Sequence, residues 1–207
     1  MYSKQPSLVL GFHGCDRSIR DKVVSQRGIL LNPSENKYDW LGSGVYFWEN
    51  NYQRAIDFAT FLYEYKPHNL KQTINEPSVI GAIIDLGFCL NLLDTEYLNL
   101  LKVGYDSLLK FHTDYNLPIP KNVPLVENGD LLKRNLDCAV IETIHTFNKD
   151  KGKQEFDSIR GVFIEGNDLY PNAGFKEKNH IQIAVRNPNC IKGYFIPRDI
   201  DPRYNKP

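Results

Sequence analysis

The sequence predicts an α+β domain, on three observations. Runs of apolar, β-branched and aromatic residues lie toward both ends, at 7–12, 45–48 and 79–86 and again at 160–165, 180–186 and 191–196. Two segments with helical spacing of apolar residues fill the middle, within about 94–147. Clusters of Gly, Pro, Asn and Asp punctuate the boundaries. Strands gathered at both ends of a helical stretch fit α+β better than alternating βαβ units. A length of 207 residues suits one domain over 1–207, and 42% hydrophobic with 12% aromatic residues is a globular composition.

Ser7 to Phe12 reads as a buried strand ending at His13-Gly14, and Asp16 as the cap of a helix from Arg17 to Gln26, closed by Gly28. The chain is organised around Trp40 to Ala59, WLGSGVYFWENNYQRAIDFA. There Gly42 and Gly44 flank Ser43 in a turn, and Val45 to Trp48 form a strand. Asn50 or Asn51 caps a helix that carries Ala55, Phe58, Ala59 and Leu62 on one face, running to about Tyr65 before Pro67. After a polar connector, 66–78, the run from Val79 to Leu86 is a strand that continues or bends at Gly87 toward Leu93. Leu98, Leu101, Tyr105, Leu108 and Leu109 predict a helix over 94–110 with Asp94 or Thr95 as cap. Pro118, Pro120 and Pro124 predict a rigid loop. A second helix is predicted over 131–147, with Leu132, Leu136, Ala139, Val140, Ile144 and Phe147 inward. Asp137, Glu142 and His145 read as solvated or N–H-bonded positions of that helix. Strands over 160–165, 180–186 and 191–196 close the chain, with a loop over 166–178.

Lys plus Arg and Asp plus Glu are both 25, so there is no bulk electrostatic drive toward nucleic acid or an anionic membrane. Four scattered cysteines with no C-x-x-C pair read as reduced thiols, with no metal framework. The first residues lack a signal-peptide pattern, and no apolar run approaches the roughly 18 residues of a membrane span. The expectation is a soluble cytoplasmic protein with no membrane partner.

Three features carry chemical interest. His13-Gly14 lies just before a helix N-terminus, where backbone N–H groups and the helix dipole face a ligand. The glycine turn, aromatic strand and helix of 42–59 can wall a flat pocket for a planar ring. Gln182 interrupts the apolar strand HIQIAV. It is either a solvated amide on an edge strand, or a buried one whose unmet hydrogen bonds would cost about 1–3 kcal/mol.

Together these residues resemble the ADP-ribosyltransferase superfamily, in its branch with a His-Tyr-Glu signature. That branch contains the poly- and mono-ADP-ribosyltransferases related to diphtheria toxin. Its His-Gly motif falls on His13-Gly14. Its G-x-G-[IV]-Y-F strand, with an alanine nine residues past the tyrosine, falls on Gly42 to Phe47 and Ala55, and its late-strand glutamate on Gln182. The resemblance implies a split β-sheet sandwich with flanking helices and a helical insert at about 94–147, using NAD as substrate and no metal. It implies that the Gly14 backbone holds the nicotinamide carboxamide, that His13 bonds the adenosine-side ribose, that Tyr46 lies on the nicotinamide ring, and that Gln182 addresses the ribose 2′-hydroxyl. Gly44, Ala55 and Phe58 belong to the same pocket. The implied partner is a protein or nucleic-acid acceptor near loop 166–178, with Tyr170, Phe175 and Lys176 as contacts and Lys176, Lys178, Arg186 and Lys192 as a basic cluster. Small stand-alone domains of this kind resemble toxin or phage-defence effectors, which implies an antitoxin. The chain departs from the pattern at Gln182, at Cys15 and Arg54 in place of serines, and at Asp57 in place of a second stacking tyrosine, with Phe58 next to it. The glutamine argues against polymer synthesis. It leaves mono-transfer, NAD glycohydrolysis or an inactive ligand-binding module, and makes Glu165 and Asp168 candidates for the missing carboxylate.

Overall fold

The computed structural model describes residues 8–66, 73–124 and 129–205. Ser7, much of the 66–78 connector and residues just after Pro124 lie outside the described residues. The fold is α+β. In chain order it comprises β1 (Leu8–Asp16), α1 (Arg17–Ser25), β2 (Val45–Glu49), α2 (Tyr52–Tyr65), β3 (Pro77–Asp85), β4 (Cys89–Asn91) and α3 (Thr95–Asp114). These are followed by β5 (Asn122–Val123), β6 (Lys133–Arg134), α4 (Asn135–Asp150), β7 (Ser158–Phe163), β8 (His180–Val185) and β9 (Ile191–Phe195). Seven strands form one mixed sheet in the order β4-β7-β8-β2-β1-β3-β9, and β5 and β6 form a small ribbon.

Instead of two separate sheets, the structure has one sheet folded back on itself. β3 and β4 lie on opposite sides of the strand order, yet only Leu86 to Phe88 join them. The half containing β1, β3 and β9 therefore faces the half containing β2, β8, β7 and β4. Between them sit Val45, Phe47, Ile80, Ala82, Ile84, Ile183 and Val185. The bend in the run after Val79 falls at Gly87, whose φ of +59° suits glycine. A Cβ there would also meet the Asp157 carboxylate at 2.6 Å.

β1 passes through His13-Gly14 to Asp16, because its register with β3 is unbroken from Leu8↔Asp85 to Asp16↔Pro77. Asp16 then caps α1, accepting from Ser18 N at 3.0 Å, and ties down the chain entering β3 through Asn75 N at 2.7 Å and Glu76 N at 3.0 Å. The Ser18 hydroxyl and these backbone donors hold its carboxyl well below the usual range. Asn51, rather than Asn50, caps α2 by accepting from Arg54 N, and Asp94 caps α3.

α4 starts four residues later than its apolar spacing predicts. Lys133 and Arg134 pair with β5, and the Asn122 side chain accepts from Leu136 N and Asp137 N, capping the helix from a distance. Its inner face is also turned: Cys138, Val140, Ile141, Ile144 and His145 are buried, while Phe147 is exposed. α4 covers the outer face of β7 and β8 through Leu41, Ile141, Ile144, Ile159, Phe163 and Ala184.

His145 is 2% exposed, its ring edge-on to Phe156, and neither ring nitrogen has a hydrogen-bond partner among the described residues. Burial, aided by the Arg186 charge and opposed by Glu142, lowers its pKa to about 4. A lowered histidine pKa means that the folded state resists the proton. This contribution to stability is whole above about pH 6.5 and is lost as pH falls toward about 4. His145→Leu should flatten that part of the unfolding free-energy profile, measured by urea denaturation at pH 7 and pH 5.

The four cysteines are free, and burial raises the thiols of Cys15, Cys138 and Cys190 to about 11. Among the described residues, no helix is long and apolar enough to cross a membrane.

Candidate functional site

β1 and β2 pair only at Gly11↔Glu49 and Phe12↔Trp48, and then part. Asn50 N donates to Leu10 O at 2.9 Å, so the backbone polar groups of Leu10 face β2. Because a strand alternates these directions, Phe12 and Gly14 also face β2, while Gly11, His13 and Cys15 face β3. Arg17 N, which donates to Glu76 O beside β3, keeps this phase. A closed ladder would next bond Gly14 to Tyr46. Instead the His13 side chain reaches the Tyr46 carbonyl, with Nδ1 at 2.7 Å. The imidazole acts as a wedge, and the N–H and C=O of Gly14 point into the opening. A carbonyl only accepts, so His13 carries its proton on Nδ1 and presents Nε2 as an acceptor. Burial lowers its pKa more than the Tyr46 bond raises it, which keeps the ring neutral.

α2 roofs this opening. A Cβ on Gly14 would lie 2.1 Å from the Ala55 carbonyl, and Ala55 and Ala59 are fully buried. Only small residues allow this approach of helix to strand. The Tyr46 ring is half-buried on the outer face of the sheet. Its hydroxyl donates to Gly42 O at 2.6 Å and accepts from Leu41 N at 2.8 Å, so its phenol braces the glycine turn. Burial pushes the Tyr46 pKa up, which keeps it protonated as a donor. Gly44 sits against β8, where a Cβ would be 3.0 Å from Val185 O.

Gln182 is not on an edge strand. β8 lies between β7 and β2, and the amide is half-buried in a row between Gly161 and Trp48. Trp48 packs on Phe58 of α2 with ring centroids 5.1 Å apart. His13, Gly14, Tyr46, Gly44, Ala55, Phe58 and Gln182 are neighbours along β1, β2, β8 and the roofing helix, but strand alternation divides them. The Tyr46 ring and the Gln182 amide lie on the outer face with Phe58 and Ala55, and the His13 ring lies on the inner face, 5.9 Å from the Phe47 ring.

Gly161 is the residue opposite Gln182, and Glu165 lies four residues further along, beyond the end of β7. Its carboxylate is bound to Arg54 of α2 at 3.2 Å, with both side chains largely buried. Asp168 faces Lys176 at 3.7 Å.

A second network holds the glycine turn from behind. The Glu142 carboxylate accepts from Ser43 N at 2.7 Å and from Arg186 Nη1 at 2.6 Å, and Arg186 also donates to the Ser43 hydroxyl at 2.8 Å. Burial pushes the Glu142 pKa up, but the Arg186 and Ser43 bonds outweigh it and leave it lowered. Gly42, at φ +73°, has no room for a Cβ beside Glu142. Glu142 is therefore an N–H-bonded helix position, and its partner is the backbone of the motif turn.

Arg186 is committed to this network, and Lys192 lies on β9 at the opposite edge of the sheet, against Asp85. The expected basic cluster is thus dispersed. The 166–178 loop is an ordered hairpin tip, closed by Leu169 N→Phe175 O, Ala173 N→Tyr170 O and Glu177 N→Asn167 O, and it exposes Leu169, Tyr170 and Phe175. Two cavities lie elsewhere. One of about 750 Å³ runs between α3, α4 and β7, past Leu98, Leu101, Val140 and Phe163, and one of about 700 Å³ lies behind the turn at Lys37, Ser43, Lys121 and Cys138. Neither His13 nor Gln182 lines them. Among the described residues, no group of three His, Cys, Asp or Glu side chains is placed to hold a metal ion.

The site is therefore an opening in a bent α+β sheet, braced by a histidine and roofed by a helix. The chain is 27% identical over 215 residues to the uncharacterized protein MJ0359 of Methanocaldococcus jannaschii, covering 92% of this chain and 89% of that protein. No family model and no solved structure matches the chain.

Proposed function

We propose that this chain has the ADP-ribosyltransferase fold and is an NAD-dependent mono-ADP-ribosyltransferase. The observation that carries the reading is the parted ladder at His13: Gly14 offers one N–H and one C=O side by side toward the opening. A primary carboxamide, with its own carbonyl and N–H₂, is complementary to that pair, and nicotinamide ends in such a group. Neutral His13 presents an acceptor to a ribose hydroxyl. The braced Tyr46 offers a ring fixed in place, and Gln182 an amide for the 2′-hydroxyl. Breaking the bond to nicotinamide builds positive charge on the ribose, so catalysis rests on a held ring and an oriented sugar. Gln182 supplies no negative charge and no base, which suits one transfer to a reactive acceptor better than chain growth. The ordered tip with Tyr170 and Phe175 exposed is a surface for a macromolecular acceptor. An effector role held in check by an antitoxin belongs to the same reading.

The test is turnover of labelled NAD by the purified protein, with and without cell lysate, RNA or DNA, beside His13→Ala and Gln182→Ala. Label carried to one polymer fraction, and lost in His13→Ala by at least about tenfold (roughly 1.4 kcal/mol of transition-state stabilisation), is the expected result and names the acceptor class. Nicotinamide release without label transfer would replace the transferase by a glycohydrolase. NAD bound without release would leave an inactive binding module. Absence of NAD binding would overturn all three.

A further inference from the structure

Three buried polar atoms on β2, α2 and β8 have no hydrogen-bond partner among the described residues: Trp48 Nε1, Arg54 Nε and His180 Nε2. Trp48 and His180 share the outer face of the sheet, and Arg54 is joined to His180 through Glu165. Trp48 is the cross-strand partner of Gln182, and His180 precedes Gln182 by two residues on the same face. The Trp48 and His180 rings are 6.4 Å apart. The Glu165 carboxylate oxygen that binds Arg54 at 3.2 Å is also 4.0 Å from His180 Nδ1.

The protonation of each atom follows from its surroundings. The indole N–H and the guanidinium Nε–H only donate. His180 Nδ1 lies 2.5 Å from the Lys178 carbonyl and so carries its proton. Burial, which outweighs that bond, together with the Arg54 and Arg134 charges, lowers the His180 pKa. The ring is neutral, and Nε2 is a bare acceptor. Two donors and one acceptor match the inventory of a single O–H group, whose oxygen accepts twice and whose hydrogen is donated once. Left unmet, each such buried atom costs free energy, so the cluster favours an occupant.

We propose that Trp48, Arg54 and His180 form a subsite for one O–H group next to Gln182, filled by a water molecule or by a hydroxyl of a bound ligand. The ligand source rests on the dinucleotide reading; the subsite does not.

The chain has two tryptophans, which makes the test direct. Trp40 Nε1 donates to the Leu132 carbonyl at 2.8 Å and serves as an internal control. In ¹⁵N-labelled ligand-free protein, the Trp48 indole proton should show a cross-relaxation peak to water and the Trp40 indole proton none. On titration with NAD, loss of that peak with a shift of the Trp48 resonance assigns the subsite to a ligand hydroxyl, whereas persistence assigns it to a resident water. Trp48→Phe keeps a ring and removes the donor. It should weaken NAD binding several-fold in the first case and leave it unchanged in the second. No water peak in the free protein and no Trp48 shift with NAD bound would overturn the subsite. Failure of NAD to bind would instead count against the dinucleotide reading, with the water peak of the free protein still deciding the subsite.

Discussion

Gly14→Ala is expected to destabilise the protein by about 3 kcal/mol, the upper end for overpacking a core, and, if the proposed NAD-dependent activity holds, to remove that turnover with it. The new methyl would lie 2.1 Å from the Ala55 carbonyl and 3.3 Å from the Ala59 methyl. The nearer obstacle is helix backbone, not the end of a flexible side chain, so relief requires α2 to move. α2 cannot lift cheaply, because Ala55 is packed with Trp48 and Val79, both buried. Any lift would also carry Arg54 away from Glu165 and uncover the opening between β1 and β2. Gly174→Ala, where nothing lies within 4 Å of the new Cβ, is the matched control. Urea midpoints and nicotinamide release for the two variants decide the matter. A Gly14→Ala protein as stable and as active as the wild type would show that α2 does not bear on this strand.

The parts of the fold that the sequence makes legible are those with local causes. Asp16, Asn51 and Asp94 cap the helices that follow them, because an acceptor side chain next to a run of helical spacing acts within one turn. What escapes a linear reading depends on distant partners. α4 begins where Asn122 caps it across an intervening ribbon, and its inner face turns toward Ile141 and His145. Glu142 and Arg186 are 44 residues apart, and each alone resembles a surface charge. Their value lies in meeting at Ser43. The motif residues at His13, Gly14 and Tyr46 stand out in the sequence, but the reason they sit together does not. A histidine side chain takes over one rung of a ladder, and only the register of β1 against both neighbours reveals it. Gln182 shows the same limit. Its amide looks like an edge-strand position until β7 and β2 are found on either side.

The pair that ties β2 to β7 across β8 should carry the largest electrostatic effect among the described residues. Arg160 of β7 reaches across β8 to Glu49 of β2, with Nε to Oε2 at 2.5 Å and Nη2 to Oε1 at 2.8 Å, and Asn91 of β4 accepts from Nη1 at 3.4 Å. Both side chains are 11% exposed, so solvent screens them little. Hydrogen bonding to Glu49 raises the Arg160 pKa, and the guanidinium keeps its charge whatever becomes of its partner. Glu49→Ala therefore leaves a buried cation without its carboxylate and should cost about 3–5 kcal/mol. The double variant Glu49→Leu, Arg160→Met removes both charges and fills similar volume, and should recover most of that loss. Denaturant unfolding of wild type, single and double variants separates the two cases. A single variant within about 1 kcal/mol of wild type would mean that water reaches Arg160, as it does for an exposed pair. Because β2 also carries Tyr46 and one wall of the opening, the proposed dinucleotide binding should be lost together with stability in the single variant and regained with it in the double variant.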